Sequence, residues 1–222
     1  MSAGGSGLEN RLEMYRYDRP EETIPAAQRE QFITNMTQIA QQGFGTGITE
    51  TDVAAHVMPV ECLYVISDAE DPVGFAAFDT LQVDSADLLF LHGIVLRPDY
   101  QKKGIFRTVV AKALQVYEPA YLAMRTQNPV VYAAAQKMVR HLYPDGGMIP
   151  ERIQRIGGCI AAHLGMERFD PNTMVGRRTY QGCLYSRLPD HSAGKYVFAS
   201  LGIDTQHGDS VMLIGGIQNE DT

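Results

Sequence analysis

Residues 94–106 read Ile94-Val95-Leu96-Arg97-Pro98-Asp99-Tyr100-Gln101-Lys102-Lys103-Gly104-Ile105-Phe106. An apolar run, Leu88–Leu96, interrupted only by His92 and Gly93, ends here in a polar loop. Such an unbroken run is a strand covered on both faces, hence a central one. Beyond the loop, Ile105, Phe106, Val109, Val110, Ala113, Leu114, Val116 and Tyr117 form the wide stripe of a helix facing a sheet, from about Gly104 to Tyr117. A buried strand therefore runs through a tight loop into a helix. The first amides of a helix lack intrahelical acceptors and share the positive end of its dipole, which makes this loop a site for an anion. Lys102, Lys103, Arg107 and Lys112 reinforce it, and no acidic residue lies between Gln101 and Val116. Elsewhere the balance is reversed: 19 Lys and Arg face 26 Asp and Glu, a net charge of −7. A phosphate-rich ligand suits this local reversal, and the plain alternative is an ordinary strand-to-helix turn with solvated lysines. Neither GxxxxGK[ST] nor GxGxxG is present.

Upstream, Leu12–Tyr17 alternates as a strand does. Residues 25–41 read as an amphipathic helix through Phe32, Ile33, Met36, Ile39 and Ala40, with Pro25 in the first turn and Gly43, Gly45 and Gly47 ending it. A short helix spans Asp52 to Met58, stopped by Pro59. Strands Glu61–Ser67, Val73–Leu81 and Leu88–Leu96 follow, separated by turns at 68–72 and 84–87. Downstream come a strand, Tyr121–Thr126, and a helix to about Val139, opened by Asn128 as cap and Pro129 at its first position. Residues 143–190 hold a loop, a helix over Glu151–Leu164 and a mixed stretch. Lys195–Leu201 and Val211–Ile214 read as two final strands. The order β-α-α-β-β-β-α-β-α, an insertion, then β-β is α/β of the α+β type, and not a doubly wound nucleotide fold.

The 222 residues suit a single domain over 1–222, with a flexible terminus at 1–8 and an insertion at 143–190. Hydrophobic residues at 45% and charged residues at 20% exclude a disordered or collagen-like chain. The acidic balance argues against a nucleic-acid partner. No apolar run reaches the roughly 20 residues of a membrane helix, and Met1–Leu8 lacks the apolar core of a signal peptide, so a cytoplasmic location without membrane contact is expected. Cys62, Cys159 and Cys183 are odd in number and contain no CxxC pair, which fits a reducing compartment and three small buried hydrophobes. His141, His163, His191 and His207 show no metal-ligand spacing, and no metal is expected.

Pro98-Asp99-Tyr100-Gln101-Lys102-Lys103-Gly104-Ile105 resembles the acetyl-CoA signature of the GNAT superfamily of N-acetyltransferases, Gln/Arg-x-x-Gly-x-Gly/Ala after an apolar strand and a Pro. Gln101 and Gly104 match. Phe106 stands where Gly or Ala is usual, and its ring is expected to turn into the core with Val110 and Leu114. In element order the resemblance covers about residues 12–140 and the last two strands. It implies a mixed, mostly antiparallel, twisted sheet with helices on both faces and a splayed central pair, Leu88–Leu96 and Tyr121–Thr126. It implies acetyl-CoA as cosubstrate, with pantetheine in the wedge against main-chain groups of Ile94 and Leu96. The amides of Lys102, Lys103, Gly104, Ile105 and Phe106 would hold the pyrophosphate, and Asn128 would touch the cofactor as well as cap its helix.

Acetyl transfer to an amine needs a base for the ammonium and an acid for the leaving thiolate. His92, within the central strand, occupies the position where some relatives acting on arylalkylamines carry a His as base or water holder; imidazole chemistry suits that task, and the plain alternative is a satisfied core histidine. Tyr132 lies on the helix where many relatives carry a thiolate-protonating Tyr, but one turn early: the usual slot, seven residues after the Asn, is Ala135 here, and the plain alternative for Tyr132 is a side chain facing the core. The resemblance thus implies an N-acetyltransferase acting by direct attack of an amine, either a small molecule or a protein amine. The alternative is a non-catalytic acyl-CoA-binding or interaction module of the same fold. A longer acyl donor stays open, and residues 143–190 would cover the acceptor site or build a homodimer contact.

Overall fold

A computed structural model describes residues 12–45 and 47–217; the expected flexible terminus, 1–8, lies outside them. The chain forms two compact units, one built from the residues up to Asp79 with His92–Val109, the other from Thr80–Leu91 with the residues from Val110 on. The division falls inside two long strands, β3 (Asp71–Val83) and β4 (Ala86–Leu96).

The first unit begins with β1 (Leu12–Asp18), α1 (Pro20–Thr23), α2 (Ala26–Gly43), α3 (Glu50–Val57) and β2 (Cys62–Asp68). Its strands lie in the order β1-β2-β3-β4. β1 and β2 pair antiparallel from Leu12↔Asp68 to Asp18↔Cys62, and β2 pairs antiparallel with β3. The amphipathic stripe read from the sequence is what α2 buries: Met36, Ile39 and Ala40 pack with Val53 and Val57 of α3, Leu63 and Val65 of β2, Phe75 and Ala77 of β3, and Val95 of β4. Each large side chain so buried contributes on the order of 1.5–3 kcal/mol. α3 starts two residues earlier than expected because Thr49 and Asp52 close a capping box: Thr49 Oγ1 accepts from the Asp52 amide at 3.2 Å and Asp52 Oδ2 from the Thr49 amide at 2.9 Å.

In the second unit, β3 and β4 are joined by a two-residue turn, Asp84 and Ser85, with φ of 51° and 64°. Positive φ at both central positions matches the strand twist of a tight hairpin. Then come α4 (Ile105–Tyr117) from Val110 on, β5 (Tyr121–Thr126), α5 (Pro129–Ala135), β6 (Leu142–Tyr143), α6 (Glu151–His163), β7 (Phe169–Asp170), β8 (Val175–Gly176), α7 (Ser192–Ser200) and β9 (Ser210–Gly216). Strand order here is β4-β5-β9-β8-β7, with β6 also on β9. β4 and β5 are parallel, Leu88↔Tyr121 to Leu91↔Met124; β5, β6 and β8 each pair antiparallel with β9. The architecture is mixed α/β with a mostly antiparallel open sheet, as expected.

Three sequence expectations need correction. Lys195–Leu201 is not a strand: Ser192–Ser200 is helical, with Phe198 packed edge-on against Tyr132 at 6.4 Å between ring centroids. The helix after Asn128 ends at Ala135 rather than Val139. Of the three cysteines only Cys62 is buried, while Cys159 is exposed and Cys183 half-buried. Among the described residues no helix is long and apolar enough to cross a membrane, and no three His, Cys, Asp or Glu side chains group as they would around a metal ion.

Candidate active site

The covering of β4 changes along its length. Leu88, Leu89, Phe90 and Leu91 are buried, whereas His92, Gly93, Ile94 and Leu96 are only half-buried. The parallel register with β5 also stops at Leu91↔Met124. The uniform apolar run therefore hides two environments, a covered half and a half that reaches the surface.

After Leu96 the loop is clamped from both sides. Arg97 grips Asp71 with a two-pronged ion pair, Nη1 to Oδ2 at 2.5 Å and Nη2 to Oδ1 at 3.0 Å, a geometry that fixes orientation as well as charge. Its amide donates to Val73 O at 2.9 Å. Tyr100, in a single 3₁₀ turn over Pro98–Tyr100, donates its hydroxyl to Asp68 Oδ2 at 2.8 Å, which raises the phenol above its ordinary pKa. Gln101, the first motif residue, turns back to donate from Nε2 to Leu96 O at 3.0 Å. This engages one of the two lone pairs of a carbonyl that the resemblance gives to pantetheine.

The chain then takes left-handed conformations at Lys102 (φ 60°) and Gly104 (φ 81°). A Cβ on Gly104 would meet nothing within 4 Å, so glycine is required by backbone conformation and not by packing. α4 begins at Ile105, and its first bond across the cap runs from the Thr108 amide to Gly104 O at 3.1 Å. Among the described residues, none of the amides of Lys102, Lys103, Gly104, Ile105 and Phe106 has an internal acceptor. Side chains 101–104 are exposed, Ile105 is buried, and Phe106 is half-buried, so its ring turns inward less completely than expected. The loop is an open set of main-chain donors at a helix start, with Lys102 and Lys103 beside it. These residues fit a diphosphate.

His92 Nε2 lies 2.6 Å from Asp79 Oδ2, with the two side chains 16% and 17% exposed. Asp79 Oδ1 accepts from the Glu61 amide at 2.7 Å, which holds the carboxylate in place. The ring of His56, from α3, stands edge-on to His92 at 5.8 Å, and its Nε2 is 3.1 Å from His92 O. A carbonyl only accepts, so the His56 proton is on Nε2. Gly93 makes room for this: a Cβ there would come within 3.2 Å of His56 Nε2. With Nε2 donating to the carboxylate, the lone pair of His92 falls on Nδ1. Sequence reading found His92 but neither Asp79 nor His56. A signal existed for the first, since Asp79 is the one charge within the strand read as Val73–Leu81. His56 sits 36 residues away on another element, and only the fold brings it in.

The remaining candidates lie in the second unit. Asn128 Oδ1 accepts from the Val130 amide at 2.9 Å, the expected cap, and Nδ2 donates to Tyr185 Oη at 3.3 Å. Tyr132 is 2% exposed, and its hydroxyl donates to Pro144 O at 3.1 Å. Burial raises its pKa. Ala135, in the slot usual for the Tyr, is fully buried.

Comparison with known proteins gives the family and the fold of this chain. Residues 19–138 match the acetyltransferase (GNAT) family. The fold is similar to that of the ribosomal-protein-S18-alanine N-acetyltransferase from Escherichia coli, with a TM-score of 0.51 and 12% identity over 95% of this chain and 99% of that one. It is also similar to an IAA acetyltransferase from Bacillus cereus, TM-score 0.49 and 14% identity over 92% and 99%. In sequence, 112 residues are 30% identical to a probable protein kinase UbiB from Xanthomonas axonopodis, covering 50% of this chain and 19% of that protein. The chain thus spans about a fifth of the length of the curated relatives it matches. The match to the family covers both the clamped loop and the His92–Asp79 pair, more than half of the sequence, and the chain is a member of the GNAT acetyltransferase family.

Proposed function

We propose that this protein is an N-acetyltransferase that moves an acetyl group from acetyl-CoA to an amine by direct attack. The observation that carries the reading is the run of amides from Lys102 to Phe106, which lack internal acceptors and open a helix inside the family's signature. Acetyl-CoA, when bound, supplies a thioester already activated toward an amine. The Lys102–Phe106 amides would take the pyrophosphate charge, with Lys102 and Lys103 adding long-range attraction, and main-chain groups of Ile94 and Leu96 would align the pantetheine arm. His92 is the proposed base. Asp79 fixes the orientation of the imidazole and stabilises the imidazolium that forms when His92 takes the proton. His56 is a positioning residue, since it bonds the His92 carbonyl. No proton is routed through Tyr132, because its hydroxyl is committed to Pro144, and Asn128 is assigned to its cap. Positioning of the amine against the thioester supplies a large part of the acceleration.

The engaged Tyr132 and Asn128 favour, as a second reading, a module that binds acyl-CoA without turnover. Thermal shift with CoA, together with thiol release from acetyl-CoA over a panel of amines, separates the two. The enzyme reading expects stabilisation by CoA and faster release with at least one amine. Stabilisation without release supports the module, and no stabilisation overturns both.

A further inference from the structure

Within the second unit, a cavity of about 390 Å³ is lined by Arg125 of β5, the segment just after α6 and the stretch after β8, among them four arginines: Arg125, Arg168, Arg177 and Arg178. In a chain of net charge −7, four guanidiniums around one cavity are unexpected. Asp170 lies near enough to Arg177 to feel its charge, and its carboxylate is held by Asn172 and Thr173; two further carboxylates are at hand. Glu167 also lines the cavity, and Asp209, 4% exposed, pairs with Arg177 Nη1 at 2.6 Å.

The framework around these arginines is fixed. Asp209 Oδ1 accepts from the Arg178 amide at 3.1 Å, and Oδ2 accepts from the Asp204 amide at 3.2 Å as well as from Arg177. Burial alone would raise the Asp209 pKa, but Arg177 and the two amides outweigh it and hold the carboxyl below its ordinary value. Arg177 also donates to Gly202 O at 2.6 Å, so its side chain is consumed by the framework. Arg178 is held at φ 52°, a conformation a non-glycine residue keeps only when its surroundings demand it. Arg125 lies 4.7 Å over the Tyr180 ring and donates from Nε to its hydroxyl at 3.0 Å, which leaves the Nη edge of the fork for another acceptor. Among the described residues, neither the Arg168 nor the Arg178 guanidinium has an ion-pair or hydrogen-bonded partner. Three arginine forks thus stand around a cavity whose carboxylates balance at most one of them beyond Arg177.

We propose that this cavity binds a small ligand through an oxyanion group, a carboxylate or a phosphate, held by Arg125, Arg168 and Arg178. The planar fork of arginine matches both chemistries with paired hydrogen bonds. The site belongs wholly to the second unit and does not depend on the donor loop of the first.

Calorimetric titration of the 222-residue chain with inorganic phosphate and, separately, with succinate at constant ionic strength tests it. The proposal expects saturable binding of at least one probe. Tighter phosphate binding assigns the site to phosphorylated ligands, and tighter succinate binding to carboxylates. In the double variant Arg168→Ala/Arg178→Ala, both of them exposed positions, affinity falls at least tenfold. Arg168→Lys/Arg178→Lys, which keeps charge but not the fork, falls in between. Lys102→Ala/Lys103→Ala leaves a saturable site intact and so separates this cavity from the donor loop. No saturable binding by either probe, or binding that survives Arg168→Ala/Arg178→Ala with the circular dichroism spectrum of the parent, would overturn the proposal.

Discussion

Two strand-to-helix turns, one in each unit, solve the same local problem in opposite ways. At the end of β5 the chain saturates its own polar groups. Asn128 caps Val130, and Gln127, 1% exposed, donates from Nε2 to the carbonyls of Asp209, Gly182 and Thr205 while accepting from the Leu184 amide at 2.9 Å. At the end of β4 the chain fixes the outer residues of the loop through Arg97–Asp71 and Tyr100–Asp68, yet leaves the amides from Lys102 to Phe106 without internal acceptors. Buried donors are expensive to leave unmade, so the first turn is a structural joint. Donors at an open turn cost little to leave without an internal acceptor, and under the proposed function the second turn is the one a ligand completes. Topology alone does not mark a site; what matters is whether the chain satisfies its own helix start.

The largest effect is expected beside the open turn. His92→Gln should lower kcat/KM by about 10²–10⁴ with the Kd of CoA unchanged, and Asp79→Asn should lower it less while altering the pH profile. Equal losses of CoA affinity and turnover would make the pair structural. Next comes Gly104→Val. A β-branched residue at φ 81° carries strain of roughly 1–3 kcal/mol, and relaxation of the loop away from its CoA-binding shape should weaken CoA binding by about fivefold to 150-fold, with a much smaller change in Tm. In the closed turn the signs invert. Gln127→Ala should cost about 1–3 kcal/mol of stability, read by chemical denaturation, with CoA affinity retained in the protein that remains folded.

How much of this was legible in the sequence follows the same division. β4, the loop and α4 are contiguous, and their patterns of burial and cap chemistry are local, so the donor loop could be read directly. Asn128-Pro129 was legible for the same reason. Lys195-Tyr196-Val197-Phe198 has strand-forming composition, and it folds as a helix because Phe198 packs against Tyr132, with Gly194 so close to Pro129 that a Cβ there would collide with its carbonyl; tertiary packing overrides propensity. The partners of His92 and the saturation of Gln127 rest on contacts 13 to 82 residues apart, which no periodicity encodes.

The smallest effect concerns alkaline pH. Burial pushes Tyr185, bonded to Asn128 at the closed turn, up to about 12 from 10.0, against a smaller lowering by that bond. A raised folded-state value means that the contribution is intact below about pH 10 and is lost as pH climbs toward 12. Denaturation midpoints between those limits should fall less steeply in Tyr185→Phe than in the parent, and equal slopes would place the sensitivity elsewhere.

The central claim, that the open turn holds a diphosphate through its own main chain, is tested most directly by following backbone amide resonances while CoA is added. The account expects large, saturable shifts at Lys102 through Phe106 and small ones at Gln127 to Val130. CoA that binds tightly while the Lys102–Phe106 amides stay unmoved would contradict it.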